Sequence, residues 1–209
     1  MKRLLALAPL MLLANGCTGL HSSQGATQVY TLAPAFAVAA APVAGATVAG
    51  ATATATAPTL QLARPLAAPG LDTERIALRR NGQRLDYYAA SSWPVPLPEL
   101  IQSLATDALR ARGNYRAVAS EAAAFAADEV LQLEIRQCQA DYPADGPPTV
   151  HVQLVATLAR RGDRSLLATV SADSRSTAGE NRMQSVVAAF QTAVADALGQ
   201  LAAQLPTAP

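Results

Sequence analysis

The chain has 209 residues, 48 of them Ala, with 15% charged and 4% aromatic, a length that allows one domain with tails or at most two small ones. Lys2 is the only lysine, and beyond residue 16 the chain has 14 Arg against 15 acids, a net of −1 that leaves no electrostatic footprint for nucleic acid. Two Cys exclude a disulfide framework, and two His leave few routes to metal or general-base chemistry.

Lys2 and Arg3 precede the apolar run Leu4–Leu13, the form of a secretory signal and too short for a membrane span. The run ends in Ala14-Asn15-Gly16-Cys17, which resembles the bacterial lipobox. That resemblance implies a signal peptide over 1–16, a covalent lipid on Cys17 as the only attached group and no other cofactor, and a tether over 17–27. Multiple acyl chains anchor far more firmly than one, at ~0.8 kcal/mol per buried CH₂. Thr18 stands where Asp would signal inner-membrane retention, so the resemblance further implies the periplasmic face of the outer membrane.

Residues 28–32 read as a short strand. Residues 33–58 carry no charge and are built from Ala, Thr, Val, Gly and Pro, with Phe36 the one large side chain. Pro34, Pro42, Pro58 and the Ala-Thr alternation at 51–56 oppose a regular helix, so this insert is expected to be a disordered linker. A folded unit over 59–205 and a tail at 206–209 follow.

Leu60–Arg64 alternates as a half-buried strand. Arg75–Arg80, Asn81-Gly82 and Gln83–Tyr88 predict a two-residue type I′ hairpin, because both central residues need positive φ. Pro98 suits a helix start, Leu100, Ile101, Leu104, Ala108 and Leu109 share one helical face, and Gly113 closes it. Tyr115–Val118, Leu131–Arg136, Val150–Leu158 and Leu166–Ala172 predict further strands, with Asp141–Pro148 a turn-rich break. Met183, Val186, Val187, Phe190, Val194, Leu198, Leu201 and Leu205 keep a 3.6-residue period up to Pro206. Hairpins with two spaced helices predict an α+β two-layer sandwich, a mainly antiparallel sheet with both helices on one face.

His151 has no second ligand or base in the sequence, and no Ser, Cys or Asp has the partner spacing of a catalytic triad, so no catalytic residue and no metal site is assigned. Cys138 reads as a small strand filler, with an intermolecular bridge as the sharper alternative. Tyr87, Tyr88 and Trp93 are three of nine aromatics within seven positions. Either Trp93 and one tyrosine pack inside, or an exposed ring serves a partner or lipid surface. Arg79, Arg80 and Arg84, and likewise Arg160, Arg161 and Arg164, flank hairpin tips, as solvated turns or as contacts for phosphate headgroups or an acidic partner. From Arg182 to Leu205 only Arg182 and Asp196 are charged. A water-exposed helix face usually carries more charge, so a second face, marked by Ala189 and Ala193, is expected to meet a neighbouring subunit or a transport partner.

Leu71-Asp72-Thr73-Glu74-Arg75-Ile76, the Asn-Gly turn, Tyr87-Tyr88, Trp93 with its prolines and the Leu-rich helix ending at Gly113-Asn114-Tyr115 occur in an order that resembles the ABC-type transport auxiliary lipoprotein family, the PqiC-like lipoproteins. Tyr30-Thr31-Leu32, the strand at 129–138 and the helix after Asn181 fit the same pattern, which covers about 28–205 apart from the insert. The resemblance implies a non-enzymatic partner of an MCE-type lipid transport system, in which an inner-membrane ABC transporter works with an MCE protein that crosses the periplasm. The lipoprotein would dock the far end of that assembly at the outer membrane, and a homo-oligomer is plausible. The alternative is a stand-alone periplasmic lipoprotein that binds lipid or envelope polymer in its own fold. A periplasmic enzyme is the third class, disfavoured by the scarcity of His and paired acids.

Overall fold

The computed structural model describes residues 26–34, 57–122 and 126–206. The signal peptide, Cys17, most of the tether and most of the 33–58 insert lie outside the described residues.

Chain order is β1 (Gln28–Val29), β2 (Thr59–Leu62), β3 (Leu66–Ala67), β4 (Arg75–Arg80), β5 (Arg84–Ser92), α1 (Leu97–Arg112), β6 (Ala117–Ser120), β7 (Glu129–Tyr142), β8 (Thr149–Arg160), β9 (Leu166–Thr177) and α2 (Met183–Gln204). All nine strands join one open sheet. The 14-residue β7 is its spine. One edge of β7 pairs antiparallel with β8, which pairs antiparallel with β9. Its other edge takes β2, β3 and β4 in turn, all parallel. β5 pairs antiparallel with β4, β6 extends the sheet from β2, and β1 extends it from β5. The long ladders are antiparallel and the parallel ones span only two to four residue pairs, so the mainly antiparallel α+β architecture holds.

Alternation explains the layers. Val150, Val152, Leu154, Ala156 and Leu158 of β8, with Leu131, Leu133, Ile135, Cys138 and Ala140 of β7, are buried on the face that carries both helices. A register shift between Ile135 and Gln137 keeps the apolar set inward along all of β7. α1 follows the predicted face: Leu100, Ile101, Leu104, Ala108 and Leu109 are all buried. Pro98 stands in its first turn, and Gly113 closes it at φ 73°, a left-handed conformation that glycine adopts without Cβ strain. Glu99 at its start and Arg110 and Arg112 at its end complement the helix dipole.

Three local expectations change. Asn81 and Gly82 do take positive φ, 53° and 70°, but Arg80 pairs with Arg84, so Gln83 joins the loop and the register is one residue longer than a two-residue turn gives. β7 runs through to Tyr142 and β9 to Thr177, because their second halves pair along β8. β3, two residues long, has too little periodicity to be read from the sequence.

Candidate functional site

The aromatic run divides between core and surface. Trp93 is 2% exposed and meets Phe190 of α2 edge to face, with ring centroids 5.4 Å apart. It is therefore a core residue joining β5 to α2, the packed one of the two readings the sequence allows, and its alternative reading as a contact ring is corrected. Tyr87 and Tyr88 are half-buried on opposite faces of β5. The Tyr87 hydroxyl donates to the Gly70 carbonyl at 2.9 Å, and the Arg75 guanidinium lies 3.9 Å from its ring centroid. The Tyr88 hydroxyl donates to the Tyr142 hydroxyl at 3.0 Å, which donates to Asn181 Oδ1 at 2.9 Å, just ahead of α2. Burial, with the Tyr142 hydrogen bond, raises the Tyr88 phenol well above its ordinary pKa. Both hydroxyls are thus hydrogen-bonded within the chain, that of Tyr88 part-buried and that of Tyr87 at the surface.

Ala189 and Ala193 are 4% and 0% exposed. They lie on the inner side of α2, so their assignment to an outer contact face is corrected. Ala at these positions lets the helix approach the sheet and α1 closely; the 3.6-residue period read from the larger side chains alone makes the buried stripe too narrow. The outer side of α2 is Gln184, Ala188, Thr192, Asp196, Gln200, Ala203 and Gln204. Part of its uncharged polarity is used within the chain. Gln191 exchanges two hydrogen bonds with the backbone of Ala33, and Gln204 Nε2 donates to the Ser171 carbonyl at 3.0 Å. α2 is long and apolar enough to cross a membrane by composition, yet half of that stretch is buried in the domain.

The sequence does not pair His151 with any other group; the structure does. His151 is 4% exposed on the sheet face away from the helices. Its Nε2 lies 2.9 Å from Asp173 Oδ2 and 3.1 Å from Arg175 Nη2, and its Nδ1 lies 3.9 Å from Asp141 Oδ2. Arg79 closes the row with two hydrogen bonds to Asp141, at 2.9 and 2.7 Å, and Gln139 Nε2 reaches Asp141 at 3.3 Å. Register produces this row: Arg79 stands beside Asp141, and Gln139, His151 and Arg175 stand side by side on adjacent strands. The partners come from four strands, and the Arg79–Asp141, His151–Asp173 and His151–Arg175 pairs are 62, 22 and 24 positions apart, so they leave no local signal beyond polar residues at alternate positions. The neighbouring hydroxyls, Thr149 and Thr177, bond to each other. Among the described residues, no group of three His, Cys, Asp or Glu side chains is arranged to hold a metal ion.

All the hairpin arginines but the exposed Arg164 are engaged within the chain as well. Arg84 pairs with Asp86, Arg160 with Asp163, Arg161 donates to Gln61, and Arg80 lies over the Tyr142 ring. Between α1, α2 and the sheet, an apolar void of about 10 Å³ is lined by residues including Ala105, Ala108, Leu133 and Leu201. Ordinary small-molecule sites enclose ~300–1,000 Å³.

No curated protein matches the chain. A Xanthomonas campestris protein of the family DUF330 has the same fold, at 22% identity and a TM-score of 0.65, covering 85% of this chain and 90% of its own. A second crystal structure, of an uncharacterized protein, matches at 11% identity and a TM-score of 0.58, covering 71% and 92%. A PelC dodecamer from Paraburkholderia phytofirmans matches more loosely, at 16% identity and a TM-score of 0.43, covering 72% and 92%. The model of the ABC-type transport auxiliary lipoprotein component matches residues 30–204, from just after β1 to the end of α2, and the chain belongs to that family.

Proposed function

We propose that the protein is an outer-membrane-anchored periplasmic lipoprotein that serves as a non-enzymatic docking component of an MCE-type ABC lipid transport system. The observation that carries this reading is the family match over residues 30–204, preceded in the chain by a lipobox-like Ala14-Asn15-Gly16-Cys17. Cys17 carries the lipid, and its partner is the periplasm-spanning MCE protein of the transporter. A docking role draws support from the helix–sheet interface, where the void between α1, α2 and the sheet, about 10 Å³, is far below the size of a ligand site. The half-buried rings of Tyr87 and Tyr88 offer the partner apolar area on either face of β5.

Capture of the full-length chain from membranes tests this. An MCE-domain protein should co-purify, and a fatty-acid probe should label the wild type and not Cys17→Ser. Recovery of a lipid-loaded monomer with no MCE-domain protein attached would instead favour the stand-alone lipid-binding lipoprotein.

A further inference from the structure

The sheet face away from the helices changes character along β7. Toward Tyr142 it carries the row from Arg79 to Arg175, whose polar groups bond to one another. Toward Glu129 its cross-strand neighbours are apolar: Val130, Ala159 and Leu166 stand side by side on β7, β8 and β9, with Gln61 of β2 next in the row. Val155 lies four residues from Ala159 on the same face of β8. Leu166 is 65% exposed, more than any other large apolar side chain among the described residues.

The β8–β9 turn adds charge beside this row. Asp163 is taken up by Arg160 and by Ser165, whose N–H and hydroxyl both donate to it. The nearby Asp128 is taken up by Thr59 and Arg116. Arg161 donates only to the neutral amide of Gln61, and Arg164, two positions before Leu166, has no bonded partner among the described residues. Two guanidinium charges without a carboxylate thus stand beside an exposed apolar row.

Strand directions say which way this surface faces. β1 is parallel to β5, so the chain ahead of Gln28 comes from the side of Arg84 and the β4–β5 turn. That turn lies at the Tyr142 end of β7, where Arg80 pairs with Tyr142, whereas the β8–β9 turn lies at the Glu129 end. Across the 14 residues of β7 the two ends are about 40 Å apart, at ~3.3 Å per residue. With lipid on Cys17, the β8–β9 end is the one turned away from the bilayer. Phosphate headgroups would match the same arginines, but they lie on the other side of the domain.

We propose that Leu166, Val130 and Ala159, with Arg161 and Arg164, form the docking surface for the periplasm-spanning transport partner, and that the partner segment combines apolar side chains with carboxylates. The apolar row supplies area to bury, and the two arginines select an acidic partner and speed its approach. This inference rests on the docking role proposed above and adds to it a place and a chemistry.

Photocrosslinking in membranes tests it, using the full-length chain with benzoylphenylalanine in place of Leu166. Ultraviolet light should give an adduct that mass spectrometry identifies as an MCE-domain protein. The yield should exceed at least fivefold that from the same group in place of Gln184, on the outer side of α2. Arg161→Glu with Arg164→Glu should lower the yield from position 166 at least fivefold, and Arg161→Lys with Arg164→Lys should keep it within twofold. If the wild type captures an MCE-domain protein but position 166 gives no adduct, or no more than position 184, the surface is overturned and the docking role stands. An adduct with phospholipid or with a second copy, or a yield indifferent to the two glutamates in a chain of unchanged circular dichroism, overturns it as well. Failure of the wild type itself to capture any MCE-domain protein overturns both.

Discussion

Gln191 and Ala33, 158 positions apart, bind each other in both directions: the Ala33 N–H donates to Gln191 Oε1 at 2.7 Å and Gln191 Nε2 donates to the Ala33 carbonyl at 2.8 Å. The side-chain amide stands in for a neighbouring strand and fixes the chain at the point where the N-terminal segment enters the domain. With Leu32 buried and the Tyr30 N–H bonded to the Ser92 carbonyl, this decides where the tether meets the sheet. Gln191→Ala removes two hydrogen bonds, each of net value ~0.5–1.5 kcal/mol. The expected result is faster hydrogen exchange at Tyr30 and Ala33, by roughly tenfold or more, with little change at β8. Unchanged protection at Ala33 would show that Leu32 alone holds the segment.

The inner stripe of α2 gives a different expectation from an interface. Ala193 is wholly buried, so Ala193→Arg forces a charge into the core and should unfold the domain, at a cost above ~4 kcal/mol. Ala188, on the outer side, should accept Arg within about 0.5 kcal/mol. Urea denaturation of the two variants separates them. A folded Ala193→Arg domain would mean that the helix can roll on the sheet.

Legibility in the sequence followed the range of the interactions. α1 could be read nearly to the residue, because its apolar period, its proline start and its glycine stop are all local. β8 was legible for the same reason, since Val150, Val152 and Leu154 alternate with polar neighbours. The hairpin after β4 was found but set one residue short, because the choice between Gln83 in the strand and Gln83 in the loop depends on how β4 sits beside β7. α2 was found with its buried face drawn too narrowly: alanine is equally at home in water and in a tight helix–sheet contact, and only packing tells them apart. The row from Arg79 through Asp141 and His151 to Arg175 was invisible, since four different strands supply it and no motif spans them.

Asp128 links stability to pH. The Thr59 N–H and hydroxyl both donate to Asp128 Oδ2 at 2.8 Å, and these bonds hold its carboxyl below the ordinary range, with Arg116 adding a smaller effect. A carboxylate lowered in the folded state contributes stability that is present above its unfolded pKa and lost as pH falls through the folded one. Asp128→Ala should therefore lower stability at neutral pH and flatten the acid limb of the curve. Glu129 next to it works in the opposite sense: burial raises its pKa, so it favours the folded state in acid and loses that contribution as pH rises. Glu129→Gln should remove that loss at neutral pH and steepen the acid limb. Denaturation midpoints measured from pH 2 to pH 7 check both signs, and parallel curves for Asp128→Ala and wild type would refute the first.

Cys138 provides a reporter of whether the domain opens. Its side chain is buried in β7, and burial pushes the thiol up to about 12. An ordinary thiol titrates near ~8.5, so at pH 8 the thiolate fraction here is smaller by roughly three orders of magnitude. The chemistry and the geometry both oppose a bridge to a second protein through this residue while the fold is intact. In Cys17→Ser, where Cys138 is the only thiol, a chromogenic disulfide reagent at pH 8 should react over hours in native buffer and within seconds in concentrated guanidinium. The native rate should rise in step with any substitution that loosens the helix–sheet core, such as Phe190→Ala, which truncates the partner of Trp93 at ~3–5 kcal/mol. Prompt stoichiometric labelling of the native chain would show that β7 is accessible from its inner face, and would reopen an intermolecular disulfide through Cys138.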